Sequence, residues 1–167
     1  RAIILQASGH TPFANRAQAR RATGRTADAI QDFKRALILS PGLADLLNDL
    51  GILLQERKDS ARAIALYRHA FATAPDKAEI MRNLANTQLS AGQYETALNT
   101  YVTAIERFPA EPAFRVRRAF SLPVIPHDLS QIDTARDKIA TFLASPEAER
   151  ITLRDPLTEI GAANFYL

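Results

Sequence analysis

The 167-residue chain has no cysteine. That excludes disulfides and thiolate metal sites, and it fits a reducing, cytoplasmic setting without demanding one. No run approaches the ~20 consecutive apolar residues needed to span a bilayer. Glycine occurs six times, too scattered for a loop that cradles phosphate. The three histidines, His10, His69 and His127, form no i, i+4 pair, and no carboxylate completes a ligand set around them. No metal, cofactor or catalytic residue is implied. What the chain does have is 47% hydrophobic residues, ample for a packed core.

That apolar content is periodic. Pro41, Pro75 and Pro109 stand 34 residues apart, and each closes the same pattern. Leu47, Leu50, Gly51 and Leu54 lie at i, i+3, i+4 and i+7, one stripe of a helix, followed by Ala63, Tyr67 and Ala70 on the next helix. The following unit holds Met81, Leu84, Ala85 and Gln88, then Ala97, Tyr101 and Ala104. Small residues at 51, 63, 85 and 97 let two helix backbones cross closely, with Tyr67 and Tyr101 filling the space beside them. The prolines cannot continue a helix and fix the exit from each unit. A generic amphipathic bundle would explain the stripes but not the constant phase. The period, the small residues and the closing proline resemble the tetratricopeptide repeat, a helix–turn–helix unit that stacks into a solenoid. The resemblance implies an all-α superhelical solenoid of antiparallel helix pairs.

In this register residues 10–43, 44–77 and 78–111 are three units, and 1–9 read as the tail of an upstream repeat. The first unit departs from the pattern. Arg16 and Arg20 occupy the slots of Leu50 and Leu54, and their stems are expected to cover apolar surface while the heads reach water. Asp28 and Asp32, on the same unit's second helix, are expected to face water. Gly24 and Gly92 mark turns inside repeats, His10 a loop between repeats, and His69 an outer face. After Pro109, residues 112–144 read as a partial repeat with a capping helix. Ala113–Leu122 forms a short helix that Pro123 and Pro126 break. Ser130 is the expected N-cap of a helix over 131–144, whose apolar face is Ile132, Ala135, Ile139, Phe142 and Leu143. Residues 145–167 read as an irregular connector, with Ile151–Leu153 extended.

The tail carries a second resemblance. Leu122-Pro123-Val124-Ile125-Pro126, Ile132, Arg136, Asp155-Pro156-Leu157, Gly161 and Asn164-Phe165-Tyr166-Leu167 look like the connector of bacterial SPINDLY-type proteins. In that family such repeats precede a glycosyltransferase-like domain related to the protein O-linked N-acetylglucosamine transferases. Leu167 stops before that domain would begin, so none of its catalytic or donor-binding residues has a counterpart here.

Net charge is +3, and the basic excess sits in residues 1–43, with Arg16, Arg20, Arg21 and Arg25 close together. No aromatic residues interleave them for base stacking, so a solvated face explains them and no nucleic-acid partner is implied. The family analogy points instead to a concave wall of first helices. One row across it is Asn15, Asp49 and Asn83. A second is Gln18, Ile52 and Asn86, and a third is Ala14, Asn48 and Arg82. Such amides and carboxylates can hydrogen-bond the main chain of an extended peptide without reading its side chains. A solvated polar face with no partner is the competing reading. The carboxylate clamp of co-chaperone repeats has no match, because its slots hold Ala14, Gln18, Asp49, Glu79 and Asn83. Two functions fit: the partner-docking arm of a SPINDLY-type glycosyltransferase-like protein, or a free-standing scaffold that catalyses nothing.

Overall fold

The computed structural model describes residues 9–122 and 129–153, and every regular element among them is a helix. Two compact units divide the chain, Arg1–Thr87 and Gln88–Leu167, with the boundary inside the fifth helix. The first unit contains α1 (Thr11–Ala22), α2 (Thr26–Leu39), α3 (Ala44–Glu56), α4 (Ser60–Thr73) and most of α5 (Ala78–Ser90). Helices α1 and α2 pack as one pair, α3 and α4 as the next, and α2 also packs on α3. Pro12 stands in the first turn of α1, where a missing N–H costs nothing. Asp59 caps α4 by accepting from the Arg62 backbone N–H at 3.3 Å.

Inside the α3–α4 pair Gly51 lies against Tyr67. A Cβ built on Gly51 would stand 2.6 Å from Tyr67 Cε1, so the glycine is what lets the ring lie between the helices. One repeat earlier the same slots hold Ala17 and Phe33, both fully buried. Each pair closes through the same turn. Gly24, Lys58 and Gly92 have φ of 74°, 63° and 74°. The residue after each donates to the carbonyl five back (Arg25 to Arg20 at 2.8 Å, Asp59 to Leu54 at 2.9 Å, Gln93 to Gln88 at 2.9 Å). This is the Schellman closure, whose left-handed residue is usually glycine. Lys58 takes the position without that freedom.

The first pair corrects the sequence expectation. Asp32 does not face water: its side chain is 0% exposed and accepts from Arg16 Nε and Nη2, both at 2.7 Å, and from Arg20 Nη1 at 2.6 Å. Arg16 and Arg20 therefore turn their heads onto the carboxylate, keeping 48% and 24% exposure. A bidentate arginine needs a planar acceptor, and Asp32 lies one helix away in reach of both. Asp28 is exposed.

The second unit contains the end of α5, α6 (Tyr94–Arg107), α7 (Ala113–Phe120), α8 (Leu129–Leu143) and α9 (Pro146–Glu149). Buried Gln88 accepts from Thr100 Oγ1 at 2.8 Å. Helix α7 packs on α6, Phe108 and Phe114 approach to 6.0 Å, and Tyr94 donates its hydroxyl to the Ser121 carbonyl at 3.1 Å. Phe142 of α8 meets Phe120 edge-on at 6.2 Å. Ile132, Ala135, Ile139 and Phe142 are half-buried, and Leu143 is 57% exposed. Helix α8 begins at Leu129, so Ser130 stands inside its first turn rather than capping it. Ser145 caps α9, its Oγ accepting from Ala148 N–H at 3.2 Å, and Ile151–Leu153 is not a strand. Pro123, Pro126, His127 and the connector motif from Asp155 onward lie outside the described residues.

Candidate functional site: a polar face on three helices

All eight residues expected to line a docking face lie in the first unit, on α1, α3 and α5. The structure joins them across the expected rows. Gln18 Nε2 donates to Asp49 Oδ2 at 2.6 Å, and Asn83 Nδ2 donates to Asn48 Oδ1 at 2.9 Å. Asn48 is only 6% exposed, so its amide belongs to the helix packing rather than to an open face. Asn15 is exposed and its side chain makes no hydrogen bond to a described residue. Ile52, Arg82 and Asn86 are half-buried, and Arg82 makes no ion pair with a described residue. Asn15, Asp49 and Asn83 are thus not bonded to one another, and Asp49 and Asn83 already hold neighbours.

Acids dominate the middle of this face. Burial pushes the Asp49 carboxyl above the ordinary carboxylate range, Asp45 and Glu79 push the same way, and Arg21 and the Gln18 bond oppose them. Asp45 is ion-paired with Lys77, and Arg21 with Glu56 at 3.2 Å, which ties α1 to α3. Glu79 is exposed. The face can accept hydrogen bonds at Asp49 and Glu79 and donate them from Asn15, Gln18, Asn83 and Arg82.

The basic cluster of the first repeat is partly paired from within. Arg16 and Arg20 share the Asp32 carboxylate and Arg21 pairs with Glu56, while Arg25 is exposed and makes no ion pair with a described residue. His10 Nδ1 lies 3.0 Å from Ser40 Oγ, and His69 is exposed. Among the described residues no three His, Asp or Glu side chains converge as a metal site, and no helix is long and apolar enough to cross a membrane.

The Asp32 clamp is the feature the sequence reading missed, and a signal for it exists. Slots 20, 54 and 88 read Arg, Leu, Gln while slots 32, 66 and 100 read Asp, Leu, Thr. Where one column is polar the other is polar too, and the structure bonds both of those pairs, Arg20 with Asp32 and Gln88 with Thr100.

Two family models for the tetratricopeptide repeat match the chain, one over residues 14–78 and one over 54–118, together well over half of it. Protein FlbA of Caulobacter vibrioides is 35% identical over 98 residues, which is 59% of this chain and 16% of FlbA. The chain superimposes on a Thermobaculum terrenum O-GlcNAc transferase with a TM-score of 0.60 at 22% identity, covering 82% of this chain and 27% of the transferase. On the first repeat domain of Spaghetti (RPAP3), solved with an HSP90 peptide, the TM-score is 0.57 at 15% identity, over 83% of this chain and 95% of that one. It therefore spans only a fraction of FlbA and of the transferase. Paired helices in a 34-residue register, crossing at a small residue and closing through the same left-handed turn, agree with these matches: the chain belongs to the tetratricopeptide repeat family, and it resembles the repeat region of the O-GlcNAc transferases.

Proposed function

We propose that the α1–α3–α5 face docks an extended segment of a partner protein, as the docking arm of a SPINDLY-type glycosyltransferase-like protein. Tetratricopeptide repeats make this a protein-interaction module, and the observation that carries the finer reading is the mixed donor–acceptor face itself. Asn15 is exposed, Asp49 and Glu79 offer carboxylates, and Arg82 offers a guanidinium with no ion-pair partner among the described residues. Such groups can engage the main chain of an extended peptide in several modest bonds. The Spaghetti domain holds an HSP90 peptide. This chain would not hold a free C-terminal carboxylate in the co-chaperone manner, since acids occupy two of the slots where cations would be needed. The likeness to the transferase and the connector motif support a position ahead of a nucleotide-sugar domain.

The test uses peptides selected from a random library on the whole protein. Each hydrogen bond is worth roughly 0.5–1.5 kcal/mol net, so replacing Asn15, Asp49 and Asn83 together by Ala should weaken binding by about 2–4 kcal/mol. His69→Ala is the outer-face control and should change nothing. Unaltered affinity in the triple variant would move the site off this face. A parent reading frame that ends promptly after Leu167 would remove the transferase reading and leave a scaffold.

A further inference from the structure

The end of α2 breaks the polarity rule that its counterparts keep. Ile38 is 79% exposed, Leu39 50% and Leu43 37%. One repeat on, the same slots are Ala72, Thr73 and Lys77, and one further they are Glu106, Arg107 and Glu111. Aliphatic side chains at these positions are therefore a property of the first repeat, not of the fold.

Their exposure is not a consequence of a missing neighbour. Helices α3 and α4 follow α2 in the same unit and leave Ile38 in water. A repeat stacked ahead of α1 would stand to α2 as the α1–α2 pair stands to α4. There Ala72 and Thr73 remain exposed. Stacking on either side leaves the slots of Ile38 and Leu39 open. Ile38 and Leu39 are neighbouring aliphatic side chains that packing leaves half or more exposed, the kind of surface an interaction site uses.

Charge selects the partner. Lys34 and Arg35 stand one turn before Ile38 and Leu39 on the same side of α2, and both are exposed. Lys34 makes no ion pair with a described residue, and Arg35, 60% exposed, reaches Asp32 only at 3.7 Å. Along α2 the nearest exposed acid is Asp28, nearly three turns from Ile38, and beyond the helix Asp45, two residues after Leu43, is held by Lys77. Two copies of this surface facing each other would oppose cation to cation, which disfavours self-association.

We infer that the C-terminal end of α2 with the turn after it, Ile38, Leu39 and Leu43 with Lys34 and Arg35, is a second docking surface, separate from the polar face, that takes an amphipathic acidic segment of a partner protein. The partner lays aliphatic side chains on Ile38 and Leu39 and sets carboxylates one turn away against Lys34 and Arg35. This is helix-on-helix recognition, distinct in chemistry from main-chain capture, and it does not rest on the reading of the polar face.

The probe is a synthetic helical peptide of about five turns with leucines along one face and glutamates along the other. Its twins carry lysine for glutamate, or serine for leucine. Titrated against the whole protein, the leucine–glutamate peptide should bind and both twins should bind at least about tenfold more weakly, a difference of ~1.4 kcal/mol. The double variant Ile38→Ser/Leu39→Ser should lose the peptide by a similar factor while keeping its helical spectrum, since both side chains are half or more exposed. Lys34→Glu should weaken the leucine–glutamate peptide and strengthen its lysine twin. Equal binding of the lysine twin, or unchanged affinity in the double variant, overturns the proposal. So does sedimentation with phosphatidylserine vesicles but not with peptide, which would make the surface a membrane contact. A concentration-dependent dimer that the double variant abolishes would make it a self-association face and overturn it equally.

Discussion

Replacing Asp32 alone should damage the first repeat far more than replacing the whole clamp. Asp32→Leu removes the shared acceptor of three charge-assisted hydrogen bonds, two from Arg16 and one from Arg20, all between 2.6 and 2.7 Å. Breaking a buried ion pair by removing one partner costs about 3–5 kcal/mol, because the other charge is stranded. Here the stranded heads are 48% and 24% exposed and can partly rehydrate, which trims the figure to about 2–4 kcal/mol. The triple variant Arg16→Leu/Arg20→Leu/Asp32→Leu installs the residues that the next repeat carries at 50, 54 and 66. Exchange of a complete buried ionic group for apolar side chains is often neutral or better, so the triple should lie within about 1 kcal/mol of wild type. Urea unfolding followed by circular dichroism, with hydrogen exchange of α1 and α2, reads both effects. A single variant as stable as wild type would refute the reasoning.

Acid gives an independent check on the same group. The Arg16 hydrogen bond, more than the neighbouring charges, holds the Asp32 carboxyl below the ordinary range, against the opposing effect of its burial. A depressed folded-state pKa contributes stability that is fully present above the unfolded value of about 3.9 and lost as pH falls through the folded one. The gap between wild type and Asp32→Leu should therefore be constant near neutrality and shrink below about pH 4. A gap that persists unchanged into strong acid would mean that the carboxylate charge is not what holds the clamp.

Three further variants test the packing. Gly51→Ala places a Cβ 2.6 Å from Tyr67 Cε1, and thermal melting should show a loss of about 1–3 kcal/mol, even though Ala17 and Ala85 occupy equivalent slots. Lys58→Gly relieves a left-handed residue at φ 63°, and should raise the unfolding free energy in urea by up to about 1 kcal/mol. Thr100→Val takes the donor from buried Gln88 and should cost about 1–3 kcal/mol, whereas Thr100→Val with Gln88→Leu should recover most of it.

Helix pairing, the crossing at Gly51 and Tyr67 and the turns at Gly24 and Gly92 were legible in the sequence, because each depends on backbone sterics that repeat every 34 residues. The Asp32 clamp was not, because periodicity scores each slot alone while an ion pair is a property of two. The polar face was legible as a set of positions but not as a network. Whether Asn48 turns outward or into the packing with Asn83 depends on how α3 and α5 approach, and no single-helix pattern reports that. Ser130 misled because a capping residue in sequence says where a helix can start, and α8 starts at Leu129, two residues before the expected 131.

The interchangeable slots 20/32, 54/66 and 88/100 also bear on how such a chain finds its own partners while folding. Tandem repeats are at risk of mispairing, since every first helix resembles every other and could close against the wrong second helix. Here the slots carry different keys: arginines with aspartate, leucine with leucine, glutamine with threonine. Were α3 to close on α2, Asp32 would be buried against Leu50 and Leu54 with no cation. Were α1 to close on α4, Arg16 and Arg20 would meet Leu66 with no carboxylate. Each exchange is penalised by an unpaired charge rather than by lost contact area, so the array discriminates against its near-copies through the pairing of these slots.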